Sequence, residues 1–394
     1  MKKIFSVFFI FIICFSFSLS ISAFIVSADT KKPEPRSFDV SAKSAYMIDF
    51  DSKTVIYSKN ENERLPIASM CKIMTLLLCF EELDKGSFSL EDSIVISDTA
   101  SKMGGSQVFL EANAEYKIGD LIKSIIIASA NDSSVAMAEY ISGSEELFTK
   151  KMNDKVKELG LNNTVYCNAT GLPGAIQYSS AKDVAIIFSE LLKHEEYFTF
   201  ANIWMEDFCH PEGRVTGMTN TNKLIRFYEG CDSGKTGYTS EAGHCLTASA
   251  KRQNLRLISV VINEPDSKTR FKDVSNMFNY GFATYVNKLI VDNKTPLENK
   301  IEVNCAKKDK ISIIPKESYY HFSKKDEKSS FDIIFTPIDN LKAPIKKGDK
   351  VGELSIYNSN VQITTIDVLA NEDINAKNYF DVLKEITLNW SIIS

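Results

Sequence analysis

Three short phrases carry side chains that together could cleave an acyl bond. Ser69 and Lys72 lie in "LPIASMCKIMTLLLCFEEL", three residues apart. On a helix that spacing puts both side chains on one face, one turn apart. A serine hydroxyl is a poor nucleophile until something takes its proton. A lysine can take it if its pKa falls, and burial favours the neutral amine. The apolar run after Lys72 provides the burial. A serine at a helix start also gains from the positive end of the helix dipole as an oxyanion develops. The same spacing, standing alone, fits a helix cap followed by a surface lysine.

The second phrase, Ser129-Ala130-Asn131-Asp132, interrupts the apolar segment "IIIASANDSSVAMAEY". Ser129 is suited to relay a proton between Lys72 and a leaving amine. Asn131 is suited either to bind a peptide carbonyl or to hold Lys72. The plain alternative is an N-cap and turn. The third phrase, Lys235-Thr236-Gly237, lies in "CDSGKTGYTSEAGHCLTASA" and reads as a strand start. Lys235 supplies a fixed positive charge, and Gly237 lets a substrate backbone come close. Thr236 and Thr239 present hydroxyls on one side if they straddle a bulge. Such a strand seats a carboxylate. The backbone N–H groups of Ser69 and Tyr238 then form the oxyanion pair. Each phrase alone is weak; the three in this order outweigh the plain readings.

The elements around them read as an α+β chain. Residues 41–60 form a hairpin around Asp51-Ser52-Lys53. A helix starts near Ser69, with Ile73, Leu76, Leu77 and Phe80 at helical spacing. Residues 118–142 form a second, buried helical region with its polar break at Ser129–Ser134. A helix over 145–160 ends at Gly160. Strands follow from about 215, and a helix near 267–288 closes the region. After Leu297 short alternating runs such as "FDIIFTP" and "VQITTIDVLA", separated by Pro/Gly turns, indicate a small all-β domain. Residues 376–394 place Tyr379, Leu383, Ile386, Trp390 and Ile393 on one helical face, suited to pack on its own domain or to lie weakly on a membrane surface.

At 394 residues, 44% hydrophobic and 25% charged, the chain has material for two domains. Its net charge of −5 lacks the basic excess of a nucleic-acid binder. Lys2-Lys3, the apolar run Ile4 to Ile25 and small residues Val26-Ser27-Ala28 read as an export signal over 1–28, with a retained membrane helix as the alternative. A tether over 29–40 follows. Of eight cysteines, Cys14 falls in the signal, and the other seven cannot all pair internally. Cys71 and Cys79 read as packing residues on one helix. No Cys/His spacing fits a metal site, so neither metal nor cofactor is expected.

Through these residues the chain resembles the low-molecular-mass penicillin-binding proteins, the serine-type D-Ala-D-Ala carboxypeptidases of the peptidase S11 family. "SAYMIDFDSKTVIYSKNENERLPIASMCKIMT", "KMNDKVKELGLNNTVYCNATGL", "QYSSAKDVAII" and "GKTGYTSEAGHCLTASA" fall in the family's order. The resemblance covers roughly residues 40–288, and more loosely the β-rich segment after 297. It implies a β-lactamase/transpeptidase-like catalytic domain over 41–290, a helical cluster plus antiparallel sheet. A β-rich domain over 297–373 and a tail helix over 376–394 follow. It implies acylation of Ser69 with Lys72 as base and Ser129 as relay. Asn131, Lys235, Thr236, Gly237 and Thr239 bind substrate. Arg270 falls where such enzymes carry an arginine near the substrate carboxylate, with a surface ion pair as the alternative. The implied partners are peptidoglycan stem peptides, with β-lactams as covalent inhibitors. The implied location is the outer face of the cytoplasmic membrane or the wall space. Two features depart from the family: a thiol, Cys71, sits beside the base, and the tail is acidic rather than basic.

Two other readings compete. A class A β-lactamase needs a glutamate to activate the deacylating water. Glu158 in "ELGLN" superficially fits, but it ends a helix capped by Gly160. A non-catalytic penicillin sensor or cell-wall-binding module is the other, and intact Ser69, Lys72 and Lys235 argue against a degenerate enzyme.

Overall fold

A computed structural model describes residues 39–297, 301–308 and 310–393. The signal and most of the tether lie outside the described residues. The centre is a five-stranded antiparallel sheet of β1 (Ser44–Asp49), β2 (Val55–Lys59), β3 (Cys231–Thr239), β4 (Gly243–Arg252) and β5 (Leu255–Glu264). Their spatial order is β2-β1-β5-β4-β3. Both faces are covered, so the inner strands β1, β4 and β5 are buried over most of their length rather than on alternate residues. On β5, Ile258, Val260 and Ile262 face a helical cluster, while Leu257 and Val261 face a second core.

The cluster contains α1 (Lys72–Asp84), α2 (Ile118–Ile127), α3 (Asn131–Ser142), α4 (Glu145–Glu158) and α5 (Ala181–Leu191). Helix α1 is its axis: every residue from Lys72 to Phe80 is buried. That includes Cys79, and Cys71 just before the helix is buried as well. Ser144 and Ser180 cap α4 and α5 by accepting N–H bonds from Leu147 and Asp183. Helix α6 (Ser267–Thr284) covers the other face of the sheet with Val274, Met277 and Phe278.

Several boundaries differ from the sequence reading. The expected helix over 118–142 is two helices, broken only at residues 128–130. Asn131 to Ser134 form the first turn of α3 instead of belonging to the break. Helix α6 stops at Thr284, where strand β6 (Tyr285–Val291) begins. Strand β6 pairs with β8 (Tyr319–Lys324), which the sequence reading lacked because its burial follows no clean alternation.

The C-terminal sheet contains β7 (Ile313–Pro315), β9 (Phe331–Pro337), β10 (Lys350–Asn358) and β11 (Val361–Ala370), in the order β7-β11-β10-β9. Val351, Leu354, Ile356, Ile366 and Val368 form its own core. Helix α7 (Tyr379–Ile393) follows. Lys307 pairs with its Asp381 at 3.3 Å. Tyr379, Phe380, Leu383 and Ile386 nevertheless remain exposed. The side chains of Trp390 and Ile393 lie outside the described residues. Among the described residues, no helix is long and apolar enough to cross a membrane.

Candidate active site

Ser69 lies in a single 3₁₀ turn, Ala68–Cys71, and Lys72 opens α1 directly after it. The turn is strained: Ala68, before Ser69, has φ +47°, a left-handed conformation costly for a residue with a Cβ. Two glycines let the turn sit there. A Cβ on Gly237 would lie 2.4 Å from the Ile67 carbonyl oxygen, and one on Gly171 would lie 2.0 Å from that of Ala68. Gly237 was expected to admit substrate backbone; its smallness is also needed by the turn that carries Ser69.

Lys72 is fully buried. Its Nζ donates to Asn131 Oδ1 and to the Thr170 carbonyl oxygen, both at 2.6 Å, and lies 3.2 Å from Ser69 Oγ. Burial lowers its pKa to about 7. The geometry suits the neutral amine: two N–H groups meet two acceptors, and the lone pair is left for the Ser69 hydroxyl. Of the two roles open to Asn131, the structure shows it gripping Lys72, and its Nδ2 donates to the Gly104 carbonyl at 2.7 Å. Next to it, the Asp132 carboxylate accepts the N–H groups of Val108 and Leu110, anchoring the loop before α2.

The break between α2 and α3 displays Ser129 at φ +63°. Lys235 Nζ donates to Ser129 Oγ at 2.7 Å and to the Thr236 carbonyl at 3.1 Å. Both side chains are nearly fully buried. Burial first, then repulsion from Lys72 and Arg270, lowers the Lys235 pKa far below its usual value. Lys235 sits inside β3, four residues past its start, rather than at a strand start.

The pairing of β3 with β4 is in continuous register from Ser233 to Thr239. No bulge therefore brings Thr236 and Thr239 to one side. Thr239 Oγ1 instead accepts the Ala242 N–H at 3.0 Å and closes the following turn. Arg270 is not in a surface ion pair. It is buried, and its Nη1 donates to the carbonyls of Gly237 and Cys245 at 3.1 and 3.2 Å. Its Nε is buried without a partner. Glu158 is 65% exposed and pairs with Lys155, far in role from a water-activating base. Among the described residues, no carboxylate hydrogen-bonds Ser69 or Lys72.

Residues 28–266 match the family described as D-alanyl-D-alanine carboxypeptidase. The chain belongs to this family. Residues 286–376 match the C-terminal domain of penicillin-binding protein 5. D-alanyl-D-alanine carboxypeptidase DacF of Bacillus subtilis strain 168 is 42% identical over 374 residues, 93% of this chain and 95% of that protein. Penicillin binding protein 5 from Haemophilus influenzae superposes with a TM-score of 0.66 at 27% identity, over 87% of this chain and 100% of that one. Penicillin-binding protein D2 from Listeria monocytogenes, solved in its ampicillin-bound form, gives 0.56 at 27% identity over 63% of this chain and 100% of that one. The penicillin-binding carboxypeptidase fold expected from the sequence, with its small C-terminal β domain, is thus the fold of this family member.

One segment of the site, residues 168–172, carried no expectation from the sequence. In "NATGL", Asn168 Oδ1 accepts the N–H groups of Thr170 and Gly171 at 3.2 and 2.7 Å, which turns the Thr170 carbonyl toward Lys72. Cys71 Sγ donates to the Asn168 carbonyl, so the thiol beside Lys72 braces this loop. The available signal was an Asn three residues before a Gly, a turn pattern. Gly171 has φ +81° besides its contact with Ala68. Gly171→Ala is expected to lower stability by about 1–3 kcal/mol and to slow acylation more than it weakens binding. Unfolding curves and penicillin acylation rates check this; wild-type acylation would show that the turn tolerates displacement.

Proposed function

We infer that this carboxypeptidase removes the terminal D-alanine of peptidoglycan stem peptides through an acyl-Ser69 intermediate, with Lys72 as base. The observation that carries the reading is that Lys72, bonded to Ser69 and Asn131, lies close enough to repel Lys235, which is bonded to Ser129, with both lysines buried. Neutral Lys72 takes the Ser69 proton as Oγ attacks the penultimate carbonyl. The oxyanion is held by the N–H groups of Ser69 and Tyr238. The C–N bond then breaks, and the leaving D-alanine amine receives a proton from Ser129, which is resupplied from Lys72. Water hydrolyses the ester and returns the Ser69 proton. Ser129 is suited to its part because Lys235 fixes its oxygen.

Substrate charge fits the electrostatics. Lys72, Lys235 and Arg270 crowd one site, and none has a carboxylate partner among the described residues. A terminal carboxylate arriving beside Lys235 and Thr236 supplies the missing anion, and Arg270 orients the strand that receives it. Lys235→Ala is expected to lower kcat/KM on D-Ala-D-Ala peptides by on the order of 10²-fold, the loss of a buried charged partner. An ester substrate without the carboxylate should lose much less. Equal losses would make Lys235 a general electrostatic group.

In a β-lactam the cleaved amine stays tethered to the acyl group, so it blocks the approach of water and the adduct persists. Intact-protein mass spectrometry with penicillin, followed by a D-alanine release assay, tests the function. A lasting adduct with peptide turnover is expected. Rapid antibiotic hydrolysis would favour a β-lactamase, and an adduct without turnover a sensor.

The chain works outside the cytoplasm, a reading supported by the charged, apolar and small-residue order of residues 1–28. The tail touches the membrane weakly. Its exposed apolar residues support this, and Asp381 and Glu385 offset Lys377 and Lys384, so no basic face draws anionic lipid. In liposome flotation the full-length protein should float in part and a chain ending at Asn375 should not. If both stay in solution at low salt, the contact does not exist.

A further inference from the structure

Two acidic side chains meet away from solvent where α6 crosses the sheet. Glu264 ends β5 and Asp273 lies on α6; they are 2% and 4% exposed. Burying one carboxylate is costly, and burying two side by side costs more. Neither Glu264 oxygen has a hydrogen-bonded N–H or O–H donor among the described residues. The Ala42 N–H approaches without completing a bond, and the side chain in hydrogen-bond contact is Asp273 itself. The other titratable groups around Glu264 do not neutralise it. Lys59 of β2 donates to the Val40 carbonyl and lies 3.7 Å from Asp39. On β4, burial keeps the Cys245 thiol protonated, pushed up to about 11, and holds His244, opposite Glu264 in register, toward its neutral form. Lys43 pairs with Glu63. Two carboxyl groups in contact cannot both stay ionised, and one proton between them turns repulsion into a hydrogen bond.

The pair holds a length of backbone. Asp273 Oδ2 accepts the Ser41 N–H at 2.6 Å. The Lys43 N–H reaches the carbonyl of Asn263, next to Glu264, at 3.4 Å. Val40 and Ala42, on either side of Ser41, are fully buried in the core that α6 covers. Residues 39–43 therefore lie across the carboxyl pair and shut it from water, just where the chain enters β1.

We propose that Glu264 and Asp273 share one proton, and that this proton latches residues 39–43 onto the catalytic domain. When the segment lifts, Glu264 is hydrated and gives up the proton at the ordinary glutamate value of 4.5. Closed, it keeps the proton to about 8, through burial first and then repulsion from Asp273. Lifting the segment between those two values releases a proton, so rising pH favours the open form over that range. Above it Glu264 is ionised in both forms and the balance stops changing. The latch is tightest in acid and loosest in alkali.

Amide hydrogen exchange on the full chain tests this, read by mass spectrometry on the peptide spanning residues 39–48 and corrected for the intrinsic pH dependence of exchange. Wild-type protection should fall by up to about tenfold per unit from pH 5 to 8, the slope of one released proton, and level off above. Glu264→Gln keeps a donor for Asp273 and has no proton to lose, so its protection should stay flat over the same range. Asp273→Asn, which can donate to an ionised Glu264 and still accept from Ser41, should make the slope shallower. The peptide covering β10 is the reference and should behave alike in all three proteins. Infrared spectra at pH 7 give a second reading: the wild type should show C=O intensity of a protonated carboxyl that Glu264→Gln loses. A wild-type profile flat from pH 5 to 8, a full slope retained in Glu264→Gln, or matching infrared spectra overturns the latch.

Discussion

Lys72→Arg is expected to slow acylation by roughly 10²–10⁴-fold, the scale of lost general-base catalysis. Arginine keeps the positive charge, but with a pKa above about 12 it cannot accept the Ser69 proton. It is also too broad for the place Lys72 occupies between Asn131 Oδ1 and the Thr170 carbonyl. The wild-type pH profile gives an independent check. Burial brings Lys72 to about 7. The neutral amine, the base of the proposed mechanism, predominates above that pH and the ammonium below it. Acylation by penicillin should therefore rise with pH, about tenfold per unit below 7, and level off above it. A flat profile between pH 5.5 and 8.5, or wild-type acylation by Lys72→Arg, would reduce Lys72 to a structural cation.

Ser69→Ala is expected to remove both the penicillin adduct and D-alanine release, a loss on the order of 10⁶-fold by comparison with other serine hydrolases stripped of their nucleophile. The fold should persist. The Ser69 side chain hydrogen-bonds only Lys72 among the described residues, and the turn is held by backbone and by Gly171 and Gly237. Alanine fits that turn without new atoms. The unfolding temperature should stay close to wild type while the intact mass shows no penicillin. An adduct on the variant would place the nucleophile elsewhere.

Much of this was legible because the chemistry is local in sequence. The Ser69–Lys72 spacing, the apolar helix behind it and the hairpin at 41–60 each need only neighbouring residues to be read. The two-domain texture was legible for the same reason, since alternation and turn residues change visibly after Leu297. The third phrase was read correctly as strand but misplaced within it. Strand starts are set by pairing with β4, which no local pattern reports. The same cause explains Thr239: a bulge depends on the partner strand's register, and β4 provides none there.

Residue types and their order pointed to the reaction class and to Ser69 and Lys72 as the proposed nucleophile and base, because a serine, a lysine and a second cation admit few other chemistries. Only the tertiary structure decided how they meet. Gly171 lies about a hundred positions from Ser69 and Gly237 farther still, yet both press on one turn, and steric fit between distant backbones leaves no local trace. Arg270 could be a surface ion pair or a site residue until α6 crossed the sheet and buried it against two carbonyls. The pKa of Lys72 likewise follows from its solvent exclusion, and exclusion belongs to the packed molecule rather than to any single segment.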